Sequence, residues 1–148
     1  MSTLVDTNIL LRLIDLTAPS HHTTRLAIAR LRSDSEELFI VPQNLFEFWA
    51  VATRPVAVNG LGKSVVEAAA DLRLCKKLFT LLDDTPAVYP TWEHLVATAG
   101  VVGKKAHDAR LVAAMMVHGV DRLLTFNVQD FRPYTGVRAQ SPDEILAN

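Results

Sequence analysis

The sequence predicts an α/β domain in three layers, a parallel sheet covered by helices on both faces. Short continuous apolar runs, such as Thr3-Leu4-Val5 and Leu38-Phe39-Ile40-Val41, alternate with stretches of helical periodicity, and strands joined through helices pair in parallel. The 148 residues suit one domain with a full core, and they hold no internal repeat, low-complexity tract or linker. Residues 1–148 are therefore expected to form a single domain.

The elements follow in order. Thr3 to Val5 is the first strand. Asn8 to Leu16 is helical, with Ile9, Leu10, Leu13 and Ile14 on one face, and Ala18-Pro19-Ser20 breaks it. Ser20 is placed to cap a second helix reaching about Asp34, in which Leu26, Ala27, Arg30 and Leu31 recur at helical period. Leu38 to Val41 is the second strand, stopped by Pro42. A third helix runs from about Gln43 to Arg54 and ends at Pro55, because the residue before a proline is driven out of the helical region. Val56 to Gly62 is a loop. Ser64 caps a long helix to about Lys77, and Leu78 to Leu82 reads as a third strand. Asp83-Asp84-Thr85-Pro86 turns into a further helix; His94 to Val102 is helical, loosened by Gly100 and Gly103. The helix from Ala106 to His118 stops at Gly119. A fourth strand lies within Asp121 to Phe126 and a weak fifth within Tyr134 to Gln140, before a last helix opening at Pro142-Asp143-Glu144.

Composition narrows the class. Net charge is −1, so the overall basic footprint of an electrostatic nucleic-acid binder is missing. An enzyme that holds phosphate through metal ions is not excluded by this. A hydrophobic fraction of 49% and a mean hydropathy of +0.19 point to an extra buried surface, such as a dimer or partner interface. No apolar run approaches the roughly 20 residues of a membrane span, and the start does not read as a signal peptide. The single cysteine, Cys75, forms no internal disulfide and suits a reducing cytoplasm, the expected location.

Three acids stand in apolar company. Asp6 closes the first strand, at the sheet edge where open parallel sheets bind ligands. Glu47 lies inside Leu45-Phe46-Glu47-Phe48-Trp49 on the third helix, with Asn44 and Val51 on its face. Asp108 opens a helix whose Leu111, Val112, Met115 and Met116 share its side. Singly, each has a bland explanation: Asp6 as a helix cap, Glu47 and Asp108 as first-turn acids near the positive end of a helix dipole. Together they suggest a cation site. Converging carboxylates repel and raise one another's pKa, and oxygen-only donors favour a hard ion, Mg²⁺ or Mn²⁺. A fourth strand beside the first would bring the turn Thr125-Phe126-Asn127-Val128-Gln129-Asp130-Phe131 next to Asp6. There Asn127 offers a neutral oxygen or a water-orienting amide, Asp130 a charge, and Thr125 a hydroxyl to fix a carboxylate rotamer.

Val5-Asp6-Thr7-Asn8, Glu47, Ala106-His107-Asp108-Ala109 and the Thr125–Phe131 turn, in this order and spacing, resemble PIN-domain proteins, and more narrowly the VapC-type toxins of bacterial toxin–antitoxin pairs. The resemblance implies strand order 3-2-1-4-5 and a Mg²⁺- or Mn²⁺-dependent ribonuclease acting on single-stranded or loop RNA. It also implies a homodimer and inhibition by a small antitoxin. Asp6, Glu47 and Asp108 fall on the family's metal-site positions, Asn8 on the polar residue that steadies the first aspartate, and Asp130 on the acid of the strand-4 turn. Asn127 stands where many members carry a further aspartate, which predicts one firmly held ion rather than two. The implied reaction is phosphodiester hydrolysis leaving a 5′-phosphate and a 3′-hydroxyl, with Asp108 or Asp130 as candidate general base. The alternative is a catalytically weak PIN module that binds RNA or a protein partner.

Arg12, Lys104, Lys105, Arg110 and Arg132 are candidates for RNA phosphate contact, Lys104-Lys105 being the best pair because it lies one turn before Asp108. None of the five histidines has zinc-ligand spacing, and His107 is the one able to approach the site. Gly60-Leu61-Gly62-Lys63-Ser64 lacks the glycine spacing of a P-loop and follows no strand. A phosphoacceptor domain needs two adjacent acids after the first strand, and an Asp-x-Asp phosphatase needs a second acid where Asn8 stands.

Overall fold

The computed structural model describes residues 1–148. Its elements run β1 (Ser2–Val5), α1 (Thr7–Ile14), α2 (His21–Ser33), β2 (Glu37–Ile40), α3 (Pro42–Thr53), α4 (Val65–Leu78), β3 (Thr80–Leu81), α5 (Val88–Ala99), α6 (Lys105–His118), β4 (Arg122–Leu124), α7 (Val128–Phe131), β5 (Arg138–Gln140) and α8 (Pro142–Ala147), with one 3₁₀ turn at Val56–Val58. All five strands pair in parallel, in the order β3-β2-β1-β4-β5. The expected α/β class, layering and strand order are all present. No helix is long and apolar enough to cross a membrane.

Alternation along the strands builds the three layers. Val5, Leu38, Ile40 and Leu124 point to a core shared with α1, α2, α3, α4 and α8. Leu4 and Leu123, one residue away, point to a second core with α6 and α7, against which α5 packs through Trp92, Leu95 and Val96. Strands buried on both faces read as unbroken apolar runs, which is why they were legible.

Departures from expectation have local causes. Pro42 does stop β2, and it also occupies the first position of α3, where its missing N–H costs nothing. Ser20 sits at the start of α2 but caps through its carbonyl, accepting from the Thr24 N–H at 3.0 Å, rather than through its hydroxyl. The third strand shrinks to two residues because α4 runs on to Leu78. Val88–Ala99 is one helix, ended three residues early by Gly100 at φ +63°. The turn after β4 winds into the short helix α7.

The segment after α3 is tightly built. A helix end leaves its last carbonyls unpaired. Here the chain doubles back, and Leu61, Lys63 and Gly62 donate their N–H groups to the carbonyls of Val51, Ala52 and Arg54 at 3.0, 2.8 and 2.8 Å. Gly60 permits this approach: a Cβ there would lie 1.9 Å from the Arg54 carbonyl oxygen. Gly60→Ala is therefore expected to push the loop off the helix and cost about 1–3 kcal/mol, as overpacking does. A urea midpoint that falls at unchanged slope is the readout.

Candidate active site

The chain leaves β1 for β2 and β3 on one side of the sheet, then returns to β4 and β5 on the other. The carboxyl ends of β1 and β4 thus flank a topological switch point. Val5 pairs with Leu124, and the Asp6 N–H donates to the Leu124 carbonyl at 3.0 Å, so Asp6 and Thr125 emerge side by side. Asp6 is 9% exposed. Its Oδ1 accepts from the Thr7 N–H at 2.7 Å and its Oδ2 from the Thr125 hydroxyl at 2.7 Å. Asp6 thus caps α1 with one oxygen and meets the Thr125 hydroxyl with the other. Thr125 Oγ1 in turn accepts from Asn8 Nδ2 at 3.2 Å and the Asn127 N–H at 3.0 Å. Its one donor and two acceptor positions are all used, which fixes the Asp6 rotamer.

A second relay holds Glu47. Asn44 Nδ2 donates to Thr7 Oγ1 at 3.3 Å, and the Thr7 hydroxyl donates to Glu47 Oε1 at 2.8 Å. Asn44 Oδ1 also accepts from the Val41 N–H at 2.9 Å, closing the start of α3. Glu47 lies in the second turn of α3, not the first, so its expected role as a dipole-compensating acid falls. Gln43, one turn earlier on the same face, donates from Nε2 to the His107 carbonyl at 2.8 Å, tying α3 to the first turn of α6 beside Asp108. The His107 ring stays exposed.

Asp6, Glu47 and Asp108 line one cleft of about 370 Å³, together with Thr7, Asn8, Arg54 and Asn127. Burial first, then Glu47 and Asp108, push the Asp6 carboxyl up to about 6, against the hydrogen bonds from Thr125 and Thr7. Asp108 is raised by burial, then by Asp130 and Glu47. Oxygen donors that repel one another at a strand end match the chemistry of a hard divalent cation. They are not drawn into a ready cage: no three acidic, histidine or cysteine side chains stand close enough to hold an ion as they lie. Each Asp6 oxygen and Glu47 Oε1 accepts one hydrogen bond from Thr7 or Thr125, which leaves each a further lone pair for an ion.

Other expected residues divide. Asn127 is at the cleft, exposed, with its side chain outside any cap. Asp130 is not among the lining residues; it lies on α7 near Asp108 and beside Lys105, Gln129 and Tyr134. Lys104 and Lys105 are exposed at the start of α6. Arg110 does not join them. It pairs with Asp84 at 3.1 Å and faces a separate, more apolar groove of about 430 Å³ with Tyr89 and Trp92. Arg132 is exposed among Val128, Arg138 and Glu144, away from the cleft. Arg12 stacks over Phe126, 4.6 Å from the ring centre, and donates to the Asn8 carbonyl at 3.1 Å. Thr7, Gln43 and Arg54 escaped the sequence reading. For Gln43 and Arg54 the sequence offers only their place on the helical face of Glu47, four before and seven after it, and no sign of what they contact.

Residues 3–134 match the PIN domain family. Ribonuclease VapC24 of Mycobacterium tuberculosis is 27% identical over 143 residues, covering 93% of this chain and 94% of that protein. Among solved structures, VapBC2 from Rickettsia felis bound to a promoter DNA fragment superposes with a TM-score of 0.70 at 14% identity, over 95% of this chain and 98% of that one. VapC20 of M. tuberculosis, described as a sarcin–ricin loop cleaving toxin, superposes at 0.61 with 18% identity, over 86% and 92%.

Proposed function

This chain belongs to the PIN domain family, and from that premise we propose that it is a Mg²⁺- or Mn²⁺-dependent endoribonuclease, the toxin of a toxin–antitoxin pair. The observation that carries the reading is the convergence of Asp6, Glu47 and Asp108 from three different elements on one cleft at the switch point. Its likeness to a ribonuclease over nearly the whole chain supports the substrate class.

Asp6, Glu47 and Asp108 would hold the ion, with Asn127 as a neutral oxygen beside them. A bound divalent ion supplies Lewis-acid polarisation of the phosphate and a lowered pKa for the attacking water. The chain itself orients the acids: Thr125 and Asn8 aim Asp6, Thr7 and Asn44 aim Glu47, and Gln43 sets the approach of α6. Asp108, half-buried and raised by its acidic neighbours, is better placed than Asp130 to take a proton from water in the cleft. The partners proposed are RNA, a small antitoxin and a second copy of the chain. Support for a protein partner comes from exposed apolar side chains such as Phe46, at 62%, and Val66, at 78%.

Structured RNA incubated with the purified protein is expected to be cut only with Mg²⁺ or Mn²⁺ present, leaving 5′-phosphate ends, and EDTA is expected to stop the reaction. Cleavage that persists in EDTA overturns the metal-dependent reading. Tight Mn²⁺ binding without turnover favours instead a binding module weakened by Asn127.

A further inference from the structure

One wall of the acidic cleft is cationic. Arg54 ends α3 two turns beyond Glu47 and lines the same cleft as Asp6, Glu47 and Asp108. It is exposed and takes part in none of the four ion pairs of the chain. Its backbone is clamped. Pro55 ends the helix, Gly62 donates to the Arg54 carbonyl at 2.8 Å, and Gly60 packs so closely against that carbonyl that no Cβ fits between them. Asn59 turns the loop in the left-handed conformation at φ +66°, bringing Gly60 and Gly62 back onto the helix end. Lys63, the next cation along, is taken by Asp71 at 2.6 Å, which leaves Arg54 as the free charge of the segment facing the cleft.

We propose that Arg54 binds a phosphate of the RNA strand next to the one being cut, and that the Pro55–Gly62 loop holds it there. The inference rests on the ribonuclease reading and adds to it a residue and a direction for the strand. Acids that bind an ion can engage the scissile phosphate only; the neighbouring phosphates meet a cleft of net negative charge and need a cation. A guanidinium offers two parallel N–H donors to a phosphate, a fit an ammonium lacks, and it stays charged at every working pH. Running from the acids toward Arg54, the strand would cross the end of α3, past Ala50 and Val51, which line the cleft between them.

The test is the salt dependence of binding to a short fluorescent single-stranded RNA, read by anisotropy in the cleavage-deficient Asp6→Asn background. Loss of one phosphate contact lowers the slope of log K against log[salt] by about 0.7. Arg54→Gln is expected to show that drop with an unchanged urea midpoint, and Arg54→Lys to keep the slope. An unchanged slope in Arg54→Gln overturns the proposal, as does a urea midpoint that falls together with the slope, which marks a packing effect. RNA binding by the parent with these outcomes sinks this inference alone. A parent that binds no RNA sinks the ribonuclease reading and this inference with it.

Discussion

Asp6→Asn is expected to make the protein more stable and inactive at once. The Asp6 carboxyl rises from the ordinary 3.8 to about 6. The folded chain therefore binds this proton more tightly than the unfolded chain does. Stability falls as pH rises from about 4 to about 6, and the loss is complete above that window. The shift corresponds to up to about 3 kcal/mol against folding at neutral pH. Asparagine removes the charge and keeps the oxygen that accepts the Thr7 N–H. It gives up the bond from Thr125, whose acceptor positions are already filled by Asn8 and Asn127, at about 1 kcal/mol. The net gain is about 1–2 kcal/mol at pH 7 to 8. Cleavage should fall by more than about 100-fold, since altering a group that merely supports a ligand already costs 10–100-fold. Two measurements check this: urea melts across pH, in which the variant loses the decline between pH 4 and 6, and initial cleavage rates. Saturating Mn²⁺ should raise the midpoint of the parent and not that of the variant, because only binding to the native state stabilises it. A variant less stable than its parent at pH 8 overturns the account of Asp6 as an uncompensated charge.

How legible the site was depended on whether the signal was local. Asp6 could be read because a carboxylate ending an apolar run has no other place than a strand end. Thr125 followed once the first and fourth strands were set side by side, and its hydrogen bond to Asp6 at 2.7 Å meets that expectation, whereas Asn8 came only with the family resemblance. Thr7 and Gln43 could not be read so easily: a polar residue at a helix start is ordinary, and what distinguishes them is contact with a segment 40 or 64 residues away. Arg110 misled because closeness in sequence was taken for closeness in space. Two positions along a helix are about 200° apart around its axis, so Arg110 faces away from the Asp108 side and meets Asp84. Arg54 was hidden by the loop that returns to hold it, an arrangement set by what Gly60 lacks rather than by any side chain.

Glu36→Ala is expected to have the opposite profile to Asp6→Asn, a large loss of stability with the cleavage rate per folded molecule preserved. Glu36 lies just before β2, at the amino edge of the sheet, the far end of β1 from the cleft. Its side chain is 6% exposed, accepts from the Thr3 hydroxyl at 2.8 Å and forms an ion pair with Arg122 Nη1 at 3.2 Å. Arg122, 17% exposed, already carries one unpartnered nitrogen, Nε. Removing the carboxylate leaves a guanidinium among the strands with no counter-charge, a change that costs about 3–5 kcal/mol in buried pairs. The partial exposure of Arg122 lets its head move toward water, so the low end, about 3 kcal/mol, is expected. Removing both partners together, as Glu36→Leu with Arg122→Met, should recover most of this, because an apolar pair of similar volume needs no desolvation offset. Thermal melts of the three variants beside the parent decide it; a double variant as unstable as Glu36→Ala assigns the loss to packing instead of charge. β1 thus runs between two buried carboxylates of opposite kind. The fold pairs the one at its amino end with a cation and gives the one at its carboxyl end only hydrogen bonds from Thr7 and Thr125. Only the second leaves a charge for something outside the chain to balance, and it is the one at the switch point.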